Sequence, residues 1–332
     1  MAEALRVSVA MATYRGERFL REQLESLARQ TRLPDELVVC DDRSPDGTWS
    51  VLEGFRRDAP FPVRLHRNET NLGVAGNFTR AATLCEGDAI LFCDQDDVWL
   101  PQKVERLMEP LEREPAVAVS FSDLSVVDEA LRPLGYTMWG ARGFGAAQQE
   151  AFRAAPVAHL VHENVVTGCA MAMRASLRKE TLPVPAGWIH DAWIALLAAM
   201  NHDLAPVPDV TVLYRQHAAN ATGANKQSSW ARVRKKARDA LADPTETFRR
   251  DARYWGEAAR AMRRLGGRPD RLRDLARLEE RVAHLEARAA LPPRRLARVA
   301  AVSREWREGR YARHSGGAAS AVKDLVGRRR KA

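Results

Sequence analysis

Residues 90–104 read ILFCDQDDVWLPQKV, an apolar run that ends in three aspartates within four positions. The run has the length of a buried strand. The acids that follow are therefore delivered together to its carboxyl end, where like charges repel unless a cation neutralises them. A hard divalent ion does this well, because Mg²⁺ or Mn²⁺ takes one or two protein carboxylates and completes its octahedron with water and phosphate oxygens. Asp94, Asp96 and Asp97 mark a place for such an ion. The other use of an acidic turn here is to cap the helix that opens near Pro101.

Upstream of this stretch, strand and helix signals alternate. RVSVAMATY is a β-branched run followed by the helical spacing of Phe19, Leu20, Leu24 and Leu27. DELVVCDD then reads as a strand, and DGTWSVLEGF as a helix opening on Asp46, Gly47 and Thr48. PVRLHRN, GNFTRAATLC and DAILFCDQDD continue as strand, helix and strand. Strands separated by helices of this length form parallel βαβ units with helices on both faces, and ligands of such sheets bind beyond the carboxyl ends of the strands. ATYRGE, CDDRSPDGT and CDQDDVW all lie at strand ends and share one edge. An Asp placed there accepts hydrogen bonds from a pyrimidine imide or a ribose hydroxyl, and Tyr14 on the neighbouring strand end is placed to stack on a base. The same CDDRSPDGT also reads as an Asx turn built by Asp42, Ser44 and Asp46.

Downstream the pattern is less regular. AVAVSFSDLSVVD is a strand and turn, residues 140–158 read as a mobile Gly/Ala-rich loop, and NVVTGCAMAMR is a strand in which Gly168 lets a backbone approach a ligand closely. HDAWIALLAAM reads as an amphipathic helix, with Asp191 at its N-cap. DVTVLYRQHAANATG runs from strand into loop. Gly73 and Gly76 in NLGVAGN fit a tight turn. From Trp230 onward the chain is helical in pattern, and Leu275, Leu278, Val282, Leu285 and Ala289 recur at spacings of 3 and 4 as a packing seam.

With 45% apolar residues and 17 prolines in 332 positions, the chain is globular, neither disordered nor fibrous. It is long enough for one large domain plus a smaller one. Cys40, Cys85, Cys93 and Cys169 sit in apolar runs without a CxxC pair, which points to buried thiols in a reducing compartment and away from a disulfide or zinc framework. Only six residues precede the first strand, and no secretory leader is expected. The longest uncharged apolar stretch, AWIALLAAM at 192–200, falls well short of the roughly 20 residues of a membrane span. A cytoplasmic protein, or one peripheral to the inner face of the cell membrane, is the expectation.

Charge divides the chain. Residues 221–332 carry 30 Lys and Arg against 13 Asp and Glu, net +17, whereas residues 1–220 carry 22 against 30, net −8. Two regions of opposite sign imply two jobs and a division into 1–222 and 223–332. The basic part is suited to an anionic membrane surface, or is the solvated face of a helical bundle that packs through the seam, with a homodimer as a further option. Nucleic acid is not expected, because aromatics are sparse there and no recognition motif appears.

The ordered segments VSVAMATYRGERFLREQLESLARQT, LVVCDDRSPDGT, RNETNLGVAGNFTRA, GDAILFCDQDDVW, NVVTGCAMAMR, HDAW and YRQH resemble the family 2 glycosyltransferases of GT-A fold, over about residues 6–220. They look most like the bacterial rhamnosyltransferase branch. The resemblance implies a mostly parallel nucleotide-sugar-binding sheet followed here by an α-helical C-terminal domain. It also implies an inverting transfer from a nucleotide-sugar donor, dTDP-L-rhamnose first and UDP- or GDP-sugars as alternatives, to a polysaccharide or lipid-linked glycan acceptor. By the same resemblance Thr13, Tyr14, Asp41 and Asp42 hold base and ribose, Asp94 contacts ribose and metal, and Asp96 ligates Mg²⁺ or Mn²⁺ with Asp97 behind it. Asp191 is the general base. The residue before it is acidic in the family and is His190 here, which leaves that neighbour's role open. His217 lies near the metal or diphosphate, and Arg215 pairs with phosphate oxygens. Trp99, Trp188 and Trp193 either stack on sugars or pack in the core. A non-catalytic binder of the same fold is the rival reading. A nucleotidyltransferase would want a basic Gly-rich loop where ATYRGERF stands, and no GxGxxG follows the first strand to suggest a dehydrogenase.

Overall fold

The structure, a computed structural model, describes residues 4–217 and 244–327. The chain forms two compact units, 1–224 and 225–332. The boundary expected at 222/223 and the loop after His217 lie outside the described residues.

In the first unit, β1 (Val7–Thr13), α1 (Leu20–Ala28), β2 (Glu36–Asp41), α2 (Thr48–Asp58), β3 (Val63–Arg67), α3 (Gly73–Leu84) and β4 (Ala89–Cys93) follow the alternation read in the sequence. Strands β1, β2 and β4 are contiguous apolar runs because both of their faces are covered. Leu20, Leu24 and Leu27 of α1 pack on this sheet together with Val104, Leu107, Met108 and Leu111 of α4 (Lys103–Arg113). Each such fully buried side chain contributes roughly 1.5–3 kcal/mol.

The remaining strands are β5 (Val98–Trp99), β6 (Val117–Val127), β7 (Pro133–Thr137), β8 (Met171–Arg174) and β9 (Asp203–Arg215). The sheet order is β3-β2-β1-β4-β8-β6-β9-β5, with β7 paired to β6. Pairing is parallel from β3 to β4 and between β6 and β9, while β8 runs antiparallel to both its neighbours. The register sets Thr13 level with Asp41 and Met11 level with Cys93. The polar residues that follow those positions therefore emerge side by side.

Three sequence expectations change. Residues 140–158 form no open loop: α5 (Met138–Arg142), α6 (Ala146–Ala154) and α7 (Pro156–Leu160) fill the stretch. They close around Phe121, Trp139, Phe144 and Phe152, whose rings meet at 5.0–6.4 Å. NVVTGCAMAMR is strand only over Met171–Arg174, because Gly168–Ala170 make a 3₁₀ turn. After α8 (Arg178–Thr181), α9 (His190–Ala198) buries every residue but Ala192, so it is apolar all round and has no wet face.

The second unit holds the helices Thr245–Leu265, Pro269–Ala289, Arg295–Arg307, Arg310–His314 and Gly317–Val326. The first two join through Gly266, whose φ of 68° suits glycine. Leu275, Leu278, Val282, Leu285 and Ala289 are all buried. Val282 packs over Gly256 of the preceding helix, where an added Cβ would lie 3.6 Å from its Cγ1. The seam is thus packed inside the unit, as the sequence spacing led one to expect of a helical bundle. No helix among the described residues is long and apolar enough to cross a membrane.

Candidate functional site

The ends of β1, β2 and β4 are bound to one another by side chains. Gln95, the residue between Asp94 and Asp96, accepts from the Tyr14 N–H at 2.8 Å and donates to the Tyr14 carbonyl at 2.9 Å. Asn77 of α3 donates to the carbonyls of Cys40 (2.8 Å) and Thr13 (3.3 Å). Asp41 is wholly buried and accepts from the Thr13 hydroxyl (3.0 Å), the Ser44 N–H (3.0 Å) and the Ser44 hydroxyl (2.5 Å). Asp42 accepts from Asn68 Nδ2 (2.7 Å), the Leu72 N–H (2.7 Å) and the Gly73 N–H (2.9 Å). Gly73 has φ 71°, as the tight turn requires.

These ends open on a cleft of about 280 Å³. Thr13, Tyr14 and Asp42 line it on one side, Asp94 and Asp96 beneath, and Gly168, His190 and Asp191 on the other. Tyr14 is the exposed aromatic at its mouth. A larger concavity of about 720 Å³, bounded by Glu109, Arg113, Arg153 and Asp203, holds none of these sheet-edge acids.

The DQDD turn is short of donors. Burial pushes the Asp94 carboxyl well above its ordinary range, and Asp97, Asp96 and Asp191 add to the rise. Asp97 is raised chiefly by burial too; its Oδ1 accepts the Arg215 N–H at 3.0 Å, while its buried Oδ2 has no hydrogen-bond partner among the described residues, and the Cys169 thiol beside the carboxyl partly offsets the rise. Carboxylate oxygens of Asp94 and Asp97 and the Cys169 thiol lie within 4.8 Å of one another. The internal counter-charge is Lys103, fully buried, 3.3 Å from the centroid of the Trp99 ring and donating to the Cys169 carbonyl. Burial lowers its pKa to about 8. Asp96 Oδ2 meets His217 Nε2 at 2.8 Å. Crowded carboxylates with an orphaned buried oxygen, and an imidazole on the outermost acid, fit a hard divalent cation.

Across the cleft Asp191 is held bidentately. Its Oδ1 accepts from Asn164 Nδ2 at 2.9 Å and its Oδ2 from the Gly168 N–H at 2.8 Å. Burial still raises its pKa to about 6, which brings it toward the range of a working general base. His190 lies between Phe78 (ring centroids 4.1 Å apart) and Phe92 (5.1 Å). Neither of its ring nitrogens has a hydrogen-bond partner among the described residues, and burial drops its pKa to about 3, so the imidazole is neutral.

Three expected contacts fall elsewhere. Arg215 reaches no phosphate position: it is almost fully buried, donates to the carbonyls of Asp96 (2.8 Å) and Glu129 (2.5 Å), pairs with Glu22 (2.5 Å), and clamps the DQDD turn from β9. Trp99 is a floor under Lys103 and does not line the cleft; Trp188 and Trp193 pack edge to face in the core at 5.1 Å. Asp41 lies behind the cleft wall with its oxygens engaged by the protein. The residues that sequence reasoning missed are Gln95, Asn77, Asn164 and Lys103. The clue for Lys103 was its place one turn beyond the acids, where a lysine otherwise reads as solvated.

Comparison with known proteins follows this geometry. The model of the family described as "Glycosyl transferase family 2" matches residues 8–180. An uncharacterised protein of Mycobacterium tuberculosis is 25% identical over 217 residues, 64% of this chain and 59% of that protein, so the chain spans about three fifths of that relative's length. The dTDP-rhamnosyl transferase RfbG of Shigella flexneri is 34% identical over 105 residues, 30% of this chain and 36% of its own. Among solved structures, the mannosyltransferase PcManGT of Pyrobaculum calidifontis in complex with GDP-Man and Mn²⁺ superposes with a TM-score of 0.55 at 18% identity, over 97% of this chain and 79% of that one.

Proposed function

The chain belongs to glycosyl transferase family 2, and we propose that it is a metal-dependent, inverting glycosyltransferase acting on a nucleotide-sugar donor. The donor assigned is dTDP-L-rhamnose, on the likeness to the Shigella enzyme, with UDP- and GDP-sugars as the alternatives to test. The acceptor is a hydroxyl of a cell-surface polysaccharide or of its lipid-linked precursor, met in the cytoplasm or at the inner face of the membrane. The observation that carries the reading is one cleft lined by the under-neutralised Asp94, by Asp96 with His217 beside it, and by a separately held Asp191.

Asp94 and Asp96 would hold Mg²⁺ or Mn²⁺, with His217 beside Asp96. The ion, when bound, supplies Lewis-acid neutralisation of the charge that grows on the β-phosphate as the donor bond breaks. Tyr14 offers its ring to the base, and Thr13 and Asp42 shape the nucleotide end of the cleft. Asp191 takes the acceptor hydroxyl's proton while that oxygen bonds the anomeric carbon, and the electron pair of the departing C–O bond leaves with the diphosphate from the opposite face. Configuration inverts. The Gly168 N–H and Asn164 fix the carboxylate's direction, and such a positioned base is typically worth roughly 10²- to 10⁴-fold. A bidentately held carboxylate with a raised pKa favours turnover over a merely binding role.

The test is a thermal-shift panel of nucleoside diphosphates and their sugars with and without Mn²⁺, since ligands of the native state raise the melting temperature. One base is expected to stabilise only with metal. Stabilisation undiminished in Asp96→Ala removes the metal assignment, and no stabilisation by any nucleotide removes the function.

A further inference from the structure

We propose that the outward face of the Arg295–Arg307 helix is a membrane-docking surface, which lays an apolar stripe into the headgroup boundary of an anionic bilayer. This goes beyond the enzymatic reading and needs no turnover. It rests only on the second unit.

Leu296, Val299, Ser303 and Trp306 recur at i, i+3, i+7 and i+10, one stripe of a helix. Leu296 is 89% exposed, Val299 49% and Trp306 51%. The same helix turns Arg298, Val302 and Glu305 inward, and Val302 joins the small core of Leu291, Tyr311 and Ala321. The apolar stripe is therefore additional to the side that packs. The Gly317–Val326 helix, tied to this one by Arg298 donating to the Asp324 and Gly327 carbonyls, exposes Val322 and Val326 as well. Single exposed apolar residues are ordinary on a protein surface, but Leu296, Val299 and Trp306 aligned on one helix face of a basic unit, interrupted only by Ser303, call for an occupant.

Charge identifies the occupant. Arg294, Arg295, Arg304 and Arg307 are exposed and form no ion pair among the described residues. At 3.6 residues per turn, Arg295 and Arg307 fall about 60° to either side of the stripe's centre. The acids nearby do not offset them: Glu305 is inward and bound by His284 (2.7 Å) and Arg310 (2.5 Å), and Glu308 pairs with Arg310. A second copy of the same face would bring two sets of unpaired arginines together. An anionic bilayer neutralises them, accepts the apolar stripe, and seats a tryptophan at headgroup depth. For an enzyme with a lipid-linked acceptor, this surface would hold the chain where the acceptor lies.

The experiment is co-sedimentation of the full-length chain with phosphatidylcholine vesicles, with and without phosphatidylglycerol, across a salt series. Binding is expected only with the anionic lipid and should weaken as salt rises. The triple variant Leu296→Ser, Val299→Ser, Trp306→Ser keeps every charge and is expected to partition about tenfold more weakly or worse. Arg294→Gln, Arg295→Gln, Arg304→Gln, Arg307→Gln together should weaken binding and flatten the salt dependence. Should the triple variant fail to fold by circular dichroism, Leu296→Glu alone, at the most exposed position, carries the same expectation. Wild-type protein left in the supernatant at every composition overturns the proposal, as does a variant that sediments like wild type. So does a wild-type dimer, seen by light scattering, that the triple variant dissolves. Vesicle binding and nucleotide-induced stabilisation are separate readouts, so either reading can fail without the other.

Discussion

The second and fourth strands each end in acids at the same edge of one sheet, and the protein treats the two groups in opposite ways. Asp41 and Asp42 are saturated: six hydrogen bonds from Thr13, Ser44, Asn68, Leu72 and Gly73 fill their oxygens. Asp97 is as deeply set and Asp94 half-buried, and both are starved: among the described residues Asp97 keeps an oxygen without a hydrogen bond, the pKa values of both are raised, and a single buried lysine is the counter-charge. A carboxylate given enough N–H and O–H donors is architecture. One denied them is what the proposed cation would neutralise.

The sharpest break of this contrast comes from the third acid, Asp191. Asp191→Asn is expected to lower kcat and kcat/KM together by roughly 10²- to 10⁴-fold, while metal-dependent stabilisation by the nucleotide persists. Parallel loss of nucleotide binding would instead place Asp191 among the anchoring groups.

Next in size is the pair Asp41→Ala and Asp96→Ala. Removing Asp41 strips the acceptor from three buried donors and should cost about 2–4 kcal/mol in urea unfolding, with Mn²⁺ or with EDTA alike. Asp96→Ala should leave metal-free stability within about 1 kcal/mol and erase the gain that Mn²⁺ and nucleotide give wild type. Equal behaviour of the two variants would dissolve the distinction.

Gly168→Ala tests how tightly the proposed base is set. A Cβ there would lie 2.2 Å from His190 Nε2, on a ring that cannot swing away because Phe78 and Phe92 hold it. A loss of about 1–3 kcal/mol is expected in thermal unfolding, with Asp191 displaced and turnover reduced.

The smallest effect is electrostatic. Asp191 binds its proton more tightly folded, at about 6, than unfolded, at about 4. Its burial therefore costs nothing below pH 4, and the cost grows through pH 6 and is constant above. Stability of Asp191→Asn relative to wild type should rise by about 1–3 kcal/mol between pH 4 and pH 8, and kcat/KM of wild type should climb to a plateau above pH 6. A flat difference would mean that the carboxyl is better solvated than its surroundings imply.

Strands β1, β2 and β4 were legible because each is an apolar run bounded by polar turns, a signal contained in a few neighbouring residues. Residues 140–158 were not, because Phe144 and Phe152 are spread among alanine and glycine and gain meaning only against Phe121 of β6. The same limit misplaced Trp99 and Arg215. A tryptophan beside an acidic turn looks like a sugar platform until Lys103 is seen above it, and an arginine beside a histidine looks like a phosphate ligand until Glu22 and two carbonyls are seen to hold it.

The sequence by itself determined that acids would gather at one edge of a mostly parallel sheet, since apolar period and strand length are local properties and register follows from them. Only the tertiary structure decided that Asp191, 97 positions beyond Asp94, would face the same cleft. It also decided which carboxylates would be satisfied by hydrogen-bond donors and which would not. Satisfaction depends on donors about 3 Å away on distant segments, and no periodicity of the chain encodes that distance.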